Sequence, residues 1–206
     1  MGHYVQVLST SSKCVPLETL QGAIIAAKLA ATIVAENPTG SEWSDLVLKH
    51  QDGTEIAAIE RNLVEPGSLG EEELGEFADE MENALPSNGA KWVTNYLKKV
   101  QCIYALQVLN GVYNNNGWEI FGTTKNALYR FAPCIIQADF EGFGNEQGYH
   151  IVWQFGKSVK GSWWAAVMNG DHWLNFQMDL ANPSHREAFK QGKVPEGLIA
   201  SKGGLI

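Results

Sequence analysis

The chain has 206 residues, 45 % of them hydrophobic and 18 % charged, with a net charge of −8 and a pI near 5.1. That composition excludes a disordered polymer, and the acidic balance argues against a nucleic-acid binder, which would carry a basic stripe. Charge and aromatics are unevenly placed: residues 36–90 hold 14 of the 23 acids against two bases, Lys49 and Arg61, whereas bulky rings crowd the stretch 140–176.

Residues 4–8 read as a short strand. A Ser9-Thr10-Ser11-Ser12 loop follows, and Pro16 suits the first position of a helix carrying Leu17, Leu20, Ile24 and Leu29. Asn37-Pro38-Thr39-Gly40 breaks the chain. Residues 43–50 and 54–61 flank Asp52-Gly53, a strong hairpin signal. Over 71–82, Leu74, Phe77 and Met81, with Leu85 beyond them, fall at helical spacing, which predicts a helix with one buried stripe and its acids outward. After Pro86-Ser87-Asn88-Gly89, the spacing of Val93, Tyr96, Leu97, Val100, Ile103, Tyr104 and Gln107 predicts one long helix over 90–109, stopped by Gly111 and the Asn114-Asn115-Asn116-Gly117 loop.

Beyond residue 117 the pattern changes. Residues 118–121 read as a strand, 123–131 as a short helix and 134–140 as a buried strand. Tyr149, Ile151, Trp153 and Phe155 alternate with His150, Val152 and Gln154, which predicts a half-buried strand. Residues 163–168 and 171–178 flank Asn169-Gly170, a hairpin with a type I′ turn in which Ala166 faces Trp173, Trp164 faces Asn175 and Trp163 faces Phe176. Pro183 opens a last short helix, and the tail from Gly192 is expected to fray. These elements imply an α+β fold: a mainly antiparallel sheet, two hairpins plus central strands, covered by two to three helices. We expect one domain over 1–206, with a compositional sub-division near 115 between a helix-rich acidic half and an aromatic β-rich half.

Cys14, Cys102 and Cys134 are odd in number and widely spaced, which suits a reducing, cytoplasmic setting and offers no metal-ligand spacing. No signal peptide is read at the start, and the longest apolar run, 22–35, is interrupted by Lys28 and too short to span a bilayer. No cofactor, metal, nucleic acid or membrane is expected.

Four groups of residues are candidates for function. Glu71, Glu72, Glu73, Glu76 and Glu80 would form an acidic face able to steer a basic partner. Asp139, Glu141 and His150 bracket a strand end and could do acid–base work, although turn chemistry and capping are the better account of the Asp139–Gly148 stretch and its spacing matches no calcium loop. Trp153 and Trp164 could stack a ligand ring; Trp163 and Trp164, adjacent on a strand, must point to opposite faces. The Ser11–Cys14 loop before a helix could bind an anion or activate the thiol, but it lacks a Gly-rich phosphate pattern. No nucleophile elbow or dinucleotide fingerprint is present. The leading expectation is a soluble protein-binding domain, for example an antitoxin- or immunity-type inhibitor of a basic effector, using the acidic surface of 36–90. The alternative is a small-molecule or carbohydrate-processing enzyme with a pocket at 139–153.

Overall fold

A computed structural model describes residues 3–36 and 42–205. The Asn37-Pro38-Thr39-Gly40 break and the first two residues lie outside them. The fold is α+β, with mostly antiparallel strand pairing, as the sequence leads one to expect. The chain forms two compact units, one of Met1–Glu72 with Val100–Cys134, the other of Glu73–Lys99 with Ile135–Ile206.

In the first unit, β1 (His3–Ser9), β2 (Ala31–Ala35), β3 (Asp45–His50), β4 (Glu55–Leu63) and β5 (Cys102–Val108) pair antiparallel in the order β2-β3-β4-β5-β1. The β3–β4 hairpin turns at Asp52-Gly53 as expected, with Gly53 at a φ of 89° that a side chain would resist. Helices α1 (Leu17–Ala26) and α4 (Gly117–Phe131) pack on each other, and α4 also meets β1 and β4.

Three expectations in this unit need correction. The first helix ends at Ala26, and β2 follows where the helix was expected to continue. The stop is a Schellman closure, in which Leu29 N–H donates to the Ile24 carbonyl and Lys28 N–H to that of Ile25. Lys28 occupies the left-handed position at φ 57°, where glycine would have announced the end. The expected long helix over 90–109 is α3 (Ser87–Leu97) followed by β5. Every residue of β5 from Cys102 to Leu106 is buried, so no alternation was visible, and an unbroken apolar run fits either period. The expected strand 118–121 is instead the first turn of α4, whose buried stripe is Ile120, Phe121, Thr124 and Leu128.

The second unit contains α3, the β6 (Cys134–Ala138)–β7 (Gly142–Phe143) hairpin, a sheet in the order β10 (Ser201–Leu205), β9 (His172–Asp179), β8 (Ser162–Asn169), and α5 (Pro183–Lys190). Helix α2 (Leu69–Met81) begins at the end of the first unit's leading segment and runs into the second. Strands β8 (Ser162–Asn169) and β9 (His172–Asp179) form the expected hairpin, but Trp163 pairs with Met178, Trp164 with Gln177 and Ala166 with Asn175. The register is two residues from the expected one because the turn residues are Gly170 and Asp171, with the positive φ of 65° at Gly170, the first of the two. A shift of two leaves every side chain on its expected face. Residues 149–155 are not a strand: His150, Ile151 and Val152 are buried in succession, and the segment makes only isolated bridges, His150 to Gly144 and Ala165 and Trp153 to Leu85. The tail, expected to fray, returns as β10 (Ser201–Leu205) against β9.

One face of the β8–β9 hairpin carries Ala165, Val167, Phe176 and Met178 into a core closed by Phe155 and Phe189. The rings there meet edge-on or tilted, with Phe155 4.7 Å from Trp163 and 5.3 Å from Trp153. Each such pair adds about 0.5–1.5 kcal/mol to the burial itself. The other face turns Trp173 against Trp92 of α3. No helix of the described residues is long and apolar enough to cross a membrane.

Candidate functional site

Helix α2 forms because Gly70, Leu74, Phe77 and Met81 fall at helical spacing along one side, with Phe77 and Met81 buried and the Phe77 ring set edge-on to Phe143 at 5.5 Å. That stripe fixes the rotation of the helix and leaves Glu71, Glu72, Glu76, Asp79 and Glu80 exposed, with Glu73 half-buried. No base lies in the last turn, so the negative end of the helix dipole is uncompensated from within the helix. The acids are not equivalent. A Glu71 carboxylate oxygen accepts from Gly67 N–H at 2.7 Å and so ties the preceding turn to the helix. Glu80 accepts from the Gln154 amide at 2.9 Å. Glu72, Glu76 and Asp79, at i, i+4 and i+7, form the outward stripe.

Between α2 and α3 lies a cleft of about 490 Å³, reached by Asp79 and Glu82 on one side and Ser87, Lys91, Thr94 and Asn95 on the other. Sequence reading missed it. Its signal was the i, i+4, i+7 spacing of Ser87, Lys91 and Thr94 opposite the buried Val93 and Leu97, on a helix joined to α2 by a short connection.

The second candidate group is brought together only through the main chain of Glu141. Asp139 and Glu141 flank Phe140, which takes a φ of 64°, in the three-residue turn of the β6–β7 hairpin, where Glu141 N–H donates to the Ala138 carbonyl. The His150 ring is enclosed by Phe155 at 4.7 Å and by Trp163 and Phe189 at 6.2 Å each. Its main chain joins it to β8, donating to the Trp164 carbonyl and accepting from Ala166 N–H. Its Nε2 is buried and has no hydrogen-bond partner among the described residues. Burial in this apolar box lowers the imidazole pKa to about 4 against the opposing backbone hydrogen bonds of Glu141 and Val152. It is the Glu141 backbone that meets the ring, and the imidazole is neutral at pH 7. The loop between them is organised by Asn145, fully buried, whose side-chain oxygen accepts from the Gln147 and Tyr149 amides at 3.0 Å each.

The two tryptophans also part. Trp153 packs among Phe155 and Phe189 with the Lys190 ammonium 5.2 Å from its ring centre. Trp164 stands on the opposite face of β8 from Trp163, 57 % exposed and edge-on to Tyr149 at 6.1 Å.

The Ser11–Cys14 loop has its groups engaged internally. Ser11, Ser12 and Lys13 N–H groups donate to Ser9 Oγ, Gln101 Oε1 and Ser11 Oγ. The Ser12, Lys13 and Val15 carbonyls accept from Arg61 Nη2, Tyr104 Oη and Trp43 Nε1. Side chains of Arg61 on β4 and Tyr104 on β5, with Trp43 just before β3 and Gln101 just before β5, thus anchor the approach to α1. Among the described residues no three His, Cys, Asp or Glu side chains are grouped to hold a metal ion.

No known family model, curated protein or solved structure matches the chain.

Proposed function

We propose that the protein acts by binding another protein that presents a basic surface, through the outward acids of α2. The observation that carries this reading is the exposed Glu72–Glu76–Asp79 stripe on a helix whose rotation is held by Phe77 and Met81. Like charges at i, i+4 spacing destabilise a helix by about 0.2–0.5 kcal/mol per pair, so the arrangement costs stability that a cationic partner would recover. The adjacent cleft, lined by Asp79 and Glu82 against the single base Lys91, has room for a lysine or arginine side chain and two carboxylates to meet it. An inhibitor of a basic effector, of the antitoxin or immunity kind, is one concrete form of this function. The 139–153 region supports a catalytic role less well, because His150 is sealed among aromatic rings.

The test is to purify the tagged protein from its source cells at low salt and identify its companions by mass spectrometry. A stoichiometric basic protein, released by raised salt and lost with the triple substitution Glu72→Lys, Glu76→Lys, Asp79→Lys, would support the proposal. A companion that survives both treatments, or none at all, would overturn it.

A further inference from the structure

The outer side of the first unit holds a groove of about 670 Å³ between α1 and α4, within the size range of small-molecule sites. Two features set it apart from ordinary helix packing. Its apolar surface is shallow: Ala23, Ala26 and Ala27 of α1 face Ala127 and Phe131 of α4. Side chains this small leave space where longer ones would interdigitate. Its polar groups all come to the same groove: Thr19, Thr123, Asn126 and Arg130. Among the described residues none of these four side chains forms a hydrogen bond or ion pair within the protein. Positions 123, 126, 127, 130 and 131 are one face of α4 at i, i+3, i+4, i+7 and i+8, so the helical period itself aims them together.

The charge of the groove decides the ligand class. Arg130 is its one charged residue, and Glu18 and Glu119, the acids of α1 and α4, do not line it. A guanidinium keeps its charge at any physiological pH and offers a planar fork matched to a carboxylate. In a chain of net charge −8, a groove with a lone cation, three neutral hydrogen-bonding groups and an alanine–phenylalanine floor selects an organic anion with an apolar body. We infer that this groove binds a small amphipathic carboxylate. Its head pairs with Arg130, the hydroxyls of Thr19 and Thr123 and the Asn126 amide orient it, and its apolar part lies along the alanines against Phe131. This inference is independent of the acidic face of α2.

The test is titration of the purified full chain with sodium octanoate, followed by calorimetry and by amide chemical shifts, with acetate and 1-octanol as probes of the head and the body alone. Saturable octanoate binding is expected, with shifts centred on α1 and α4, and at least tenfold weaker binding of acetate and octanol. Arg130→Ala should weaken octanoate binding at least tenfold, the size of one charge-assisted contact. Ala127→Leu, which fills the floor and leaves the charge intact, should weaken it comparably. Arg130 is exposed and Ala127 half-buried, and an unchanged circular dichroism spectrum confirms that each variant folds. Absence of saturable octanoate binding, shifts centred elsewhere, or binding unaffected by both substitutions would overturn the inference.

Discussion

The imidazole of His150 is neutral in the folded protein because ionising it would place a charge among Phe155, Trp163 and Phe189. Its folded pKa, about 4, lies below the ordinary 6.5 of the unfolded chain. The resulting stability is therefore fully present above pH 6.5 and is lost as pH falls from 6.5 through 4. Over that window the loss should amount to about 3 kcal/mol. Urea unfolding at a series of pH values checks it: His150→Leu should flatten this part of the profile, and an unchanged slope would assign the acid sensitivity to other groups. Lys28 offers a second single-residue test. It holds a left-handed backbone at the end of α1 that costs a side-chain-bearing residue about 1–2 kcal/mol, partly offset by the entropy glycine brings to the unfolded chain. Lys28→Gly should raise stability by about 0.5–1 kcal/mol, measured as a higher denaturant midpoint at unchanged slope.

Two helical glycines show how packing reverses propensity at the scale of the element. Gly75 in α2 has nothing within 4 Å of where a Cβ would stand. Gly75→Ala should therefore give the ordinary helix gain of about 0.5–1 kcal/mol. Gly89 in α3 is buried, and a Cβ there would stand 2.3 Å from the Ile151 carbonyl oxygen. Gly89→Ala should cost about 1–3 kcal/mol despite the better helix former. Thermal denaturation of the pair must give opposite signs; a gain in both would mean that the Ile151 loop yields easily. Element identity was legible where a full stripe or a Gly-containing turn marked it, as in α2 and the two hairpins. Solvent exposure alone did not suffice, since β2 and the start of α4 each have an exposed side and were misread. The stripe of α2 has a wet face that fixes its period, whereas Leu46 to Leu48 of β3 and Ala165 to Val167 of β8 are buried in succession and the hairpins were read from their turns. Identity was illegible where both faces are buried, as in β5, or where a stop lacks its usual residue, as at Lys28.

At the scale of the whole molecule the dominant property is its excess of acid, concentrated in residues 36–90. Reversing Glu72, Glu76 and Asp79 leaves the stripe's own neighbours alike in charge, turns the 73–76, 76–80 and 79–82 pairs from repulsive to attractive, and places a cation near the C-terminal end of α2, while losing one acid from its first turn. These effects are each tenths of a kcal/mol and oppose one another. The triple variant should thus unfold within about 0.5 kcal/mol of the parent at moderate salt, while its association with a basic partner falls at least tenfold in on-rate and loses salt dependence. A large stability loss would show that the acids serve the fold instead.

Composition and periodicity alone determined that this is an α+β protein, that its α2 acids face outward, and that Trp163 and Trp164 part to opposite faces of a strand. These follow from short-range rules: a period of 2 or 3.6, a Gly-containing turn, a capping residue. Only the tertiary structure decided that 102–108 is a strand, that the β8–β9 turn is centred on Gly170-Asp171, that His150 lies within a ring cluster, and that Arg130 shares a groove with Thr19. Each of these depends on residues far apart in the chain competing for the same buried space, and no local pattern records which of them wins.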